Sequence, residues 1–190
     1  MDILVAKEKI NQIKEKPKYE AMLLTASIIT RLLDQYKIKP IIVGGLSVEI
    51  YTQSEYATRD IDFVSDGYHI IEDVLFSLGF KKEGRHFYHQ DIEIAVEIPS
   101  NDLVGSYEKV AKVYIDDENY VYLISIEDII LDRLRAAVHW KSEEDSIWGF
   151  RLLAKNFEVL DIEYLLKQTE TKQEYDELSF WIDQLKRDLN

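Results

Sequence analysis

Three apolar residues, Ile41–Val43, run directly into the glycine pair Gly44-Gly45, and a segment of helical length follows over residues 46–52. A short continuous apolar run predicts a buried strand. Adjacent glycines permit a tight turn and a close approach of the backbone to a ligand. Because the chain of 190 residues has only 7 glycines, a pair at this point is informative. The pattern predicts an α/β fold containing a consecutive strand, turn and helix.

Two carboxylates mark the next predicted strand, which we place over residues 57–64. Residues two apart on a strand point to the same face, so Asp60 and Asp62 project together with their Cα atoms about 7 Å apart. Ile61 and Phe63 point to the opposite face, towards the predicted core. Both carboxylates are therefore able to reach one cation.

A later strand, predicted over residues 91–98, repeats this division into an apolar and an acidic face. Its polar side carries Asp91, Glu93, Ala95 and Glu97. If the two strands are neighbours in register, their acidic faces gather three or more carboxylates, and the mutual repulsion is costly unless a divalent cation neutralises it. Mg²⁺ is the expected ion, because hard cations take oxygen ligands and share them with substrate phosphates.

The glycine pair suits the phosphate end of such a substrate. A strand–glycine–helix turn exposes the first amides of the helix, which together with the Ser47 hydroxyl are able to bind phosphate oxygens. The sequence therefore predicts that Gly44 and Gly45 admit a triphosphate and that Asp60 and Asp62 hold its metal.

The rest of the chain divides into two parts. Helices are predicted over residues 18–36 and 69–78, and strands over 81–89, 111–115 and 119–124. From Ser125 onwards the pattern is helical, with helix starts at residues 125–128, 161–164 and 171–174. We therefore expect an α/β core with N-terminal helices over residues 1–124 and a helical region over 125–190 that packs on it.

Composition excludes several classes of function. The net charge of −13 disfavours extended nucleic-acid binding, which relies on Lys and Arg at phosphates. With no Cys there is neither a thiolate nucleophile nor a zinc–thiolate site. No apolar run has the roughly 18 residues of a membrane span, and the charged N-terminus does not resemble a signal peptide, so we expect a cytoplasmic protein without membrane contact.

The glycine turn Val43-Gly44-Gly45-Leu46-Ser47, the pair Asp60-Ile61-Asp62 and a later acidic residue together resemble the motifs of the nucleotidyltransferase superfamily of DNA polymerase beta. The resemblance extends over residues 41–97. It is strongest to small stand-alone members related to abortive-infection and toxin–antitoxin nucleotidyltransferases. It implies a nucleotidyltransferase-like mixed β-sheet core followed by a helical region.

The resemblance also implies site residues and a reaction. Asp60, Asp62 and a third carboxylate bind one or two Mg²⁺ ions and act in catalysis; Glu97 is preferred over Glu93 because it lies near a strand end, and it is the candidate base. The nucleotide-binding residues are Gly44, Gly45, Ser47, Arg59 and Arg85. Since Arg85, His86 and His89 lead into the acidic strand, one of them is expected to reach the site. The reaction transfers a nucleoside monophosphate from a nucleoside triphosphate such as ATP to an acceptor hydroxyl.

Alternatives stay open at this level. The acceptor is a small molecule, a protein or an RNA end. A non-catalytic relative, which binds a nucleotide or a protein partner as an antitoxin does, would have the same fold without transfer. The stretch Asp60-Ile61-Asp62-Phe63-Val64 also fits haloacid-dehalogenase-like phosphatases, but residues 56–59 are too polar for the apolar strand that those enzymes need. Asp-x-Asp also occurs in glycosyltransferases, which normally need a larger chain.

Overall fold

The computed structural model describes residues 1–188, and the side chains of residues 1–187. The chain forms two compact units, Met1–Ile124 and Ser125–Asn190. The first unit combines helices with a seven-stranded sheet, and the second is helical. This is the predicted α/β fold with a mixed sheet and a C-terminal helical region.

Four helices belong to the first unit. They are α1 (Ile3–Ile13), α2 (Lys18–Leu33), α3 (Gly44–Tyr51) and α4 (Tyr68–Leu78), and single 3₁₀ turns lie at Asp34–Tyr36 and Tyr107–Lys109. The Asp2 carboxylate caps α1 by accepting from the amide of Leu4 at 2.9 Å. Gly79, with φ of +100°, ends α4 in the left-handed conformation that favours glycine.

The seven strands form one mixed sheet. They are β1 (Ile41–Val43), β2 (Asp60–Val64), β3 (Lys81–Glu83), β4 (His86–His89), β5 (Ile94–Ser100), β6 (Ala111–Tyr114) and β7 (Tyr120–Leu123). Their order across the sheet is β3-β4-β5-β2-β1-β7-β6. The pairs β2–β5 and β1–β7 are parallel, whereas β1–β2 and the hairpins β3–β4 and β6–β7 are antiparallel.

The two faces of the sheet differ in what they contact. One face contributes Ile42, Ile61, Phe63, Val96 and Leu123, all fully buried in a core shared with α1, α2 and α4. Because side chains alternate along a strand, the other face carries Asp60, Asp62 and Glu97. The alternation predicted for these strands is confirmed, and it places the acidic residues on the face opposite the helical layer.

Two predicted strands begin later than expected. The strand predicted over residues 57–64 begins at Asp60, and the one predicted over 91–98 begins at Ile94 and ends at Ser100. In the second case Glu93 has φ of +53°, which extended backbone does not allow, so Asp91 and Glu93 lie in a turn. The helix predicted over residues 46–52 begins earlier, at Gly44.

The second unit consists of α5 (Ile126–His139), α6 (Glu143–Asn156), α7 (Ile162–Lys167) and α8 (Lys172–Asp188). The predicted helix starts are confirmed: Ser125, Asp161 and Thr171 accept from the amides of Asp128, Tyr164 and Glu174. Gly149 lets α6 approach α8, since a Cβ at this position would lie 2.7 Å from the Trp181 ring. None of the helices described over residues 1–188 is long and apolar enough to cross a membrane.

Candidate active site

The glycine turn between β1 and α3 lies directly against Asp62. Gly44 has φ of +60°, and a Cβ on it would lie 2.4 Å from the Asp62 Oδ2 atom. Only glycine fits this position without displacing the carboxylate. The close approach predicted for the glycine pair is thus present, and the group that it approaches is the aspartate of β2.

Ser47 lies one helical turn further on and is fully buried. Its hydroxyl donates to the carbonyl oxygen of Gly44 at 2.7 Å. In the structure the hydroxyl therefore supports the turn from inside. Its direct contact with phosphate stays a prediction.

The predicted carboxylates lie on neighbouring strands of one sheet face. Asp62 is the register partner of Val43 on one side and of Glu97 on the other, and Asp60 is the partner of Ala95. Adjacent strands are about 4.8 Å apart, so the backbones of Asp62 and Glu97 are immediate neighbours. Glu93 lies in the turn before β5, and its carbonyl oxygen accepts from the Lys18 ammonium. The structure thus places Glu97, and not Glu93, opposite Asp62.

Glu97 is held by two groups from β4 and the turn before it. The Arg85 Nε atom lies 3.2 Å from its Oε1 atom, and the His86 Nδ1 atom lies 3.2 Å from Oε2. The buried His86 Nδ1 atom has no hydrogen-bond partner. Its contact with Glu97 is therefore close enough for an ion pair but lacks the geometry of a hydrogen bond. Only 10% of the Glu97 side chain is exposed, whereas 78% of the Arg85 side chain is, so the carboxylate is buried and the guanidinium that pairs with it faces solvent. Arg85 and His86 thus reach the site from the segment where the sequence predicted one such residue.

Thr58 and Glu49, neither of which was predicted from the sequence, support the acidic face. The Thr58 hydroxyl donates to Asp60 Oδ1 at 3.1 Å, and the Thr58 amide donates to Glu49 Oε2 at 3.1 Å. Glu49 is 5% exposed, and burial raises the pKa of its carboxyl. A Cβ on Gly45 would lie 2.5 Å from Thr58 Oγ1, so Thr58 fits between the turn and Asp60. The spacing Thr58-x-Asp60, which would put both side chains on one face of the strand predicted over residues 57–64, was the available signal.

Arg59 is exposed immediately before β2. It lies in the bend that precedes the strand, and its contact with a bound nucleotide stays a prediction.

The donor set suits a hard divalent cation. Asp60 and Asp62 offer carboxylate oxygens on one face, with Glu97 beside them. Among the described side chains, no group of three or more His, Asp or Glu residues is already arranged as a metal site. Binding an ion with all three carboxylates therefore requires Glu97 to exchange its contact with Arg85 for the cation. The residues fit the ion, and the metal itself stays a prediction.

The Thr58 contact gives a first testable prediction. Thr58→Val keeps the shape of the side chain but removes the hydroxyl that orients Asp60, so we expect a loss of roughly 1 kcal/mol in metal or substrate binding, about five-fold in affinity. Mg²⁺ titration in the presence of a nucleoside triphosphate measures it. Thr171→Val is the matched control in the second unit. Equal Mg²⁺ affinities of Thr58→Val and the wild type would show that Thr58 does not position Asp60.

Comparison with known proteins finds similarity in structure only. No protein-family model matches the sequence, and no curated protein matches it. Among solved structures, six chains match. One is a nucleotidyltransferase-like antigenic protein from Paracoccidioides brasiliensis, with 11% identity and a TM-score of 0.56 over 93% of this chain and 88% of that one.

A second neighbour is ANT(2'')-Ia in complex with adenylyl-2''-tobramycin, with 15% identity and a TM-score of 0.51 over 80% of this chain and 94% of that one. The solution structure of the same antibiotic-resistance factor aligns with 14% identity and a TM-score of 0.48 over 84% and 92% of the two chains. These neighbours are nucleotidyltransferases or resemble them. The predicted resemblance is confirmed at the level of the fold, and this chain has a nucleotidyltransferase fold.

Proposed function

We propose that the protein is a Mg²⁺-dependent nucleotidyltransferase that transfers a nucleoside monophosphate from a nucleoside triphosphate to an acceptor hydroxyl. The observation that carries this proposal is the contact between the glycine turn and the acidic face. A Cβ on Gly44 would meet Asp62 Oδ2 at 2.4 Å, and Asp62 is the register partner of Glu97. The glycine turn and the carboxylates to which we assign phosphate and metal binding are thus immediate neighbours, on a fold shared with nucleotidyltransferases.

The residues have distinct roles in this reaction. Asp60, Asp62 and Glu97 would hold Mg²⁺, which when bound neutralises charge on the phosphates. The first amides of α3, beginning at Gly44, bind the outer phosphates of the substrate. A bond forms between the acceptor oxygen and the α-phosphorus, and the bond from that phosphorus to pyrophosphate breaks. The acceptor proton passes to a carboxylate, for which Glu97 is the candidate because it lies beside Asp62.

The position and charge of Arg85 support the proposal that a triphosphate binds beside Glu97. Its guanidinium lies 3.2 Å from the Glu97 carboxylate, and 78% of its side chain is exposed. A guanidinium is able to bind phosphate oxygens in two-pronged geometry. Arg85 is therefore placed to contact the triphosphate when a cation takes over the carboxylate of Glu97.

Nucleotide binding is tested by thermal melting of the wild-type protein with each nucleoside triphosphate, with and without Mg²⁺. A ligand present at 100 times its Kd stabilises by about 2.7 kcal/mol. For a chain of this length that raises Tm by roughly 5–10 °C. We expect this shift only with Mg²⁺ present. The absence of a shift with all four nucleotides would refute the proposal.

The ion pair between Glu97 and Arg85 favours a second candidate, a non-catalytic protein that binds a nucleotide or a protein partner as an antitoxin does. Here the third carboxylate would stay paired with Arg85 and bind no metal. Release of pyrophosphate distinguishes the two. The enzyme releases pyrophosphate when its acceptor is supplied in a cell extract, whereas the non-catalytic protein shows the melting shift alone.

A further inference from the structure

A cavity of about 440 Å³ lies in the first unit, and no role has been assigned to it. Its floor is a row of side chains in register across three strands: Val64 of β2, Ile41 of β1 and Tyr122 of β7. Its walls include Lys37, Lys39, Asp66, Asp102 and Tyr107. Because Val64 and Asp62 are two residues apart, the floor belongs to the same sheet face as the carboxylates.

The cavity and the glycine turn lie on opposite sides of Asp62. Along β2, Val64 and Asp62 are about 7 Å apart, which places the cavity floor next to the aspartate. Within the β1–β2 pair, Ile41 is the partner of Val64 and Val43 is the partner of Asp62. Gly44 follows Val43, so it lies on the side of Asp62 that is away from the cavity. The order along the strands is therefore cavity, Asp62, glycine turn.

This order matters because nucleotidyl transfer is an in-line displacement. The attacking oxygen and the leaving oxygen lie on opposite sides of the phosphorus. If the glycine turn binds the outgoing pyrophosphate and the α-phosphorus lies above Asp62, the acceptor has to approach from the far side of Asp62. That side is where the cavity lies.

We propose that this cavity binds the acceptor, and that the acceptor is a small, hydroxyl-bearing polar molecule that is neutral or zwitterionic. The inference rests on the proposed function and adds the class of acceptor to it. A volume of about 440 Å³ suits a molecule the size of a sugar or a nucleoside, since small-molecule pockets have roughly 300–1,000 Å³. Of the three classes of acceptor, the volume of the cavity favours a small molecule over a protein or an RNA end.

The lining supplies groups for such a ligand. Asp66, Asp102 and Lys37 are exposed at the rim, and within residues 1–187 their side chains form no ion pair or hydrogen bond. They are therefore free to bind hydroxyl, ammonium or carboxylate groups. Because Lys37 and Lys39 balance the two carboxylates, the lining favours a ligand without a large net charge.

Two tyrosines complete the lining. The Tyr122 ring has the Lys39 ammonium 5.5 Å from its centre, and the Tyr107 hydroxyl accepts from the Leu103 amide at 3.0 Å. The hydrogen bond holds the hydroxyl end of Tyr107, whose side chain is exposed. Aromatic faces suit the apolar side of a sugar or a planar ring.

The experiment uses a nucleoside triphosphate labelled at the α-phosphate, Mg²⁺, the full-length protein and an extract of its source organism. The extract is divided by ultrafiltration into small molecules and macromolecules. We expect label to enter a new product in the small-molecule fraction only. Label in the macromolecular fraction, or in neither fraction, overturns the inference.

Variants link that product to the cavity. Asp66→Asn combined with Asp102→Asn should raise the apparent KM for the small-molecule fraction by about ten-fold or more, while the melting shift with Mg²⁺ and nucleotide is unchanged. Asp91→Asn with Asp117→Asn is the control, since both residues are exposed outside the cavity. An unchanged KM in the cavity variant overturns the inference. Without a melting shift in the wild type the proposed function fails, and a shift with no label in either fraction is the result expected of the non-catalytic protein. A normal shift with label in the macromolecular fraction alone refutes only the cavity.

Discussion

Replacing both Asp60 and Asp62 by asparagine is expected to lower kcat/KM for nucleotidyl transfer by about 10³-fold or more. The substitution keeps the volume of each side chain but removes the negative charges that would bind Mg²⁺. In the structure both residues lie on one sheet face, next to the glycine turn and to Glu97. Since two of three ligands become neutral, the metal-dependent melting shift should disappear together with activity.

The stability of this variant gives an independent measurement. Without metal, neutralisation removes the repulsion between neighbouring carboxylates, which offsets the loss of their charge-dependent contacts, so Tm should change little. The bond from Thr58 to Asp60 persists, because asparagine retains an acceptor oxygen. The pair Asp91→Asn and Asp117→Asn changes the net charge equally and should keep both activity and the melting shift. Full activity of the Asp60 and Asp62 variant would place the metal site elsewhere.

Gly44→Ala is expected to be the most damaging single substitution in the glycine turn. Gly44 has φ of +60°, and its new Cβ would lie 2.4 Å from Asp62 Oδ2. Left-handed backbone costs a residue with a side chain about 1 kcal/mol, and steric overlap adds roughly 1–3 kcal/mol. We therefore expect the free energy of unfolding to fall by about 2–4 kcal/mol. Nucleotide binding should also be lost, because relief of the overlap displaces Asp62.

Gly84→Ala separates the cost of the left-handed backbone from the cost of steric overlap with a neighbouring side chain. Gly84 has a nearly identical φ of +64°, but no atom lies within 4 Å of a Cβ at this position. Only the backbone cost of about 1 kcal/mol is expected there. Urea unfolding of both variants, together with melting in Mg²⁺ and nucleotide, measures the two effects. Equal losses of stability would mean that the contact with Asp62 contributes nothing.

The strand pattern alone predicted much of the acidic face. The spacing Asp60-x-Asp62 put both carboxylates on one side of a strand, and the division of residues 94–98 did the same for Glu97. The register between the strands was not predictable, because the parallel pairing of β2 with β5 depends on contacts between segments far apart in the chain. That register places Glu97 beside Asp62, and the turn at Glu93 keeps the other candidate out of the strand.

The supporting residues were harder to find for a related reason. Glu49 is a charged residue of the short helix α3 whose local sequence gives no sign of burial, yet its carboxylate is buried and accepts from the Thr58 amide. His86 faces Glu97 because β4 and β5 pair as antiparallel neighbours. Both contacts follow from tertiary packing, which the periodicity of one segment does not reveal. Glu93 shows the converse error, since its alternation suggested a strand although its backbone forms a turn.

The parallel pairing of β2 with β5 also constrains the order in which the molecule assembles. Between these strands the chain forms α4 and the β3–β4 hairpin, both of which are held by contacts between residues close in sequence. Closure of a long loop is slow compared with such local steps. A nascent chain released only as far as β4 would therefore have the aspartates but no third carboxylate, so the proposed metal site should be complete only after β5 has joined the sheet.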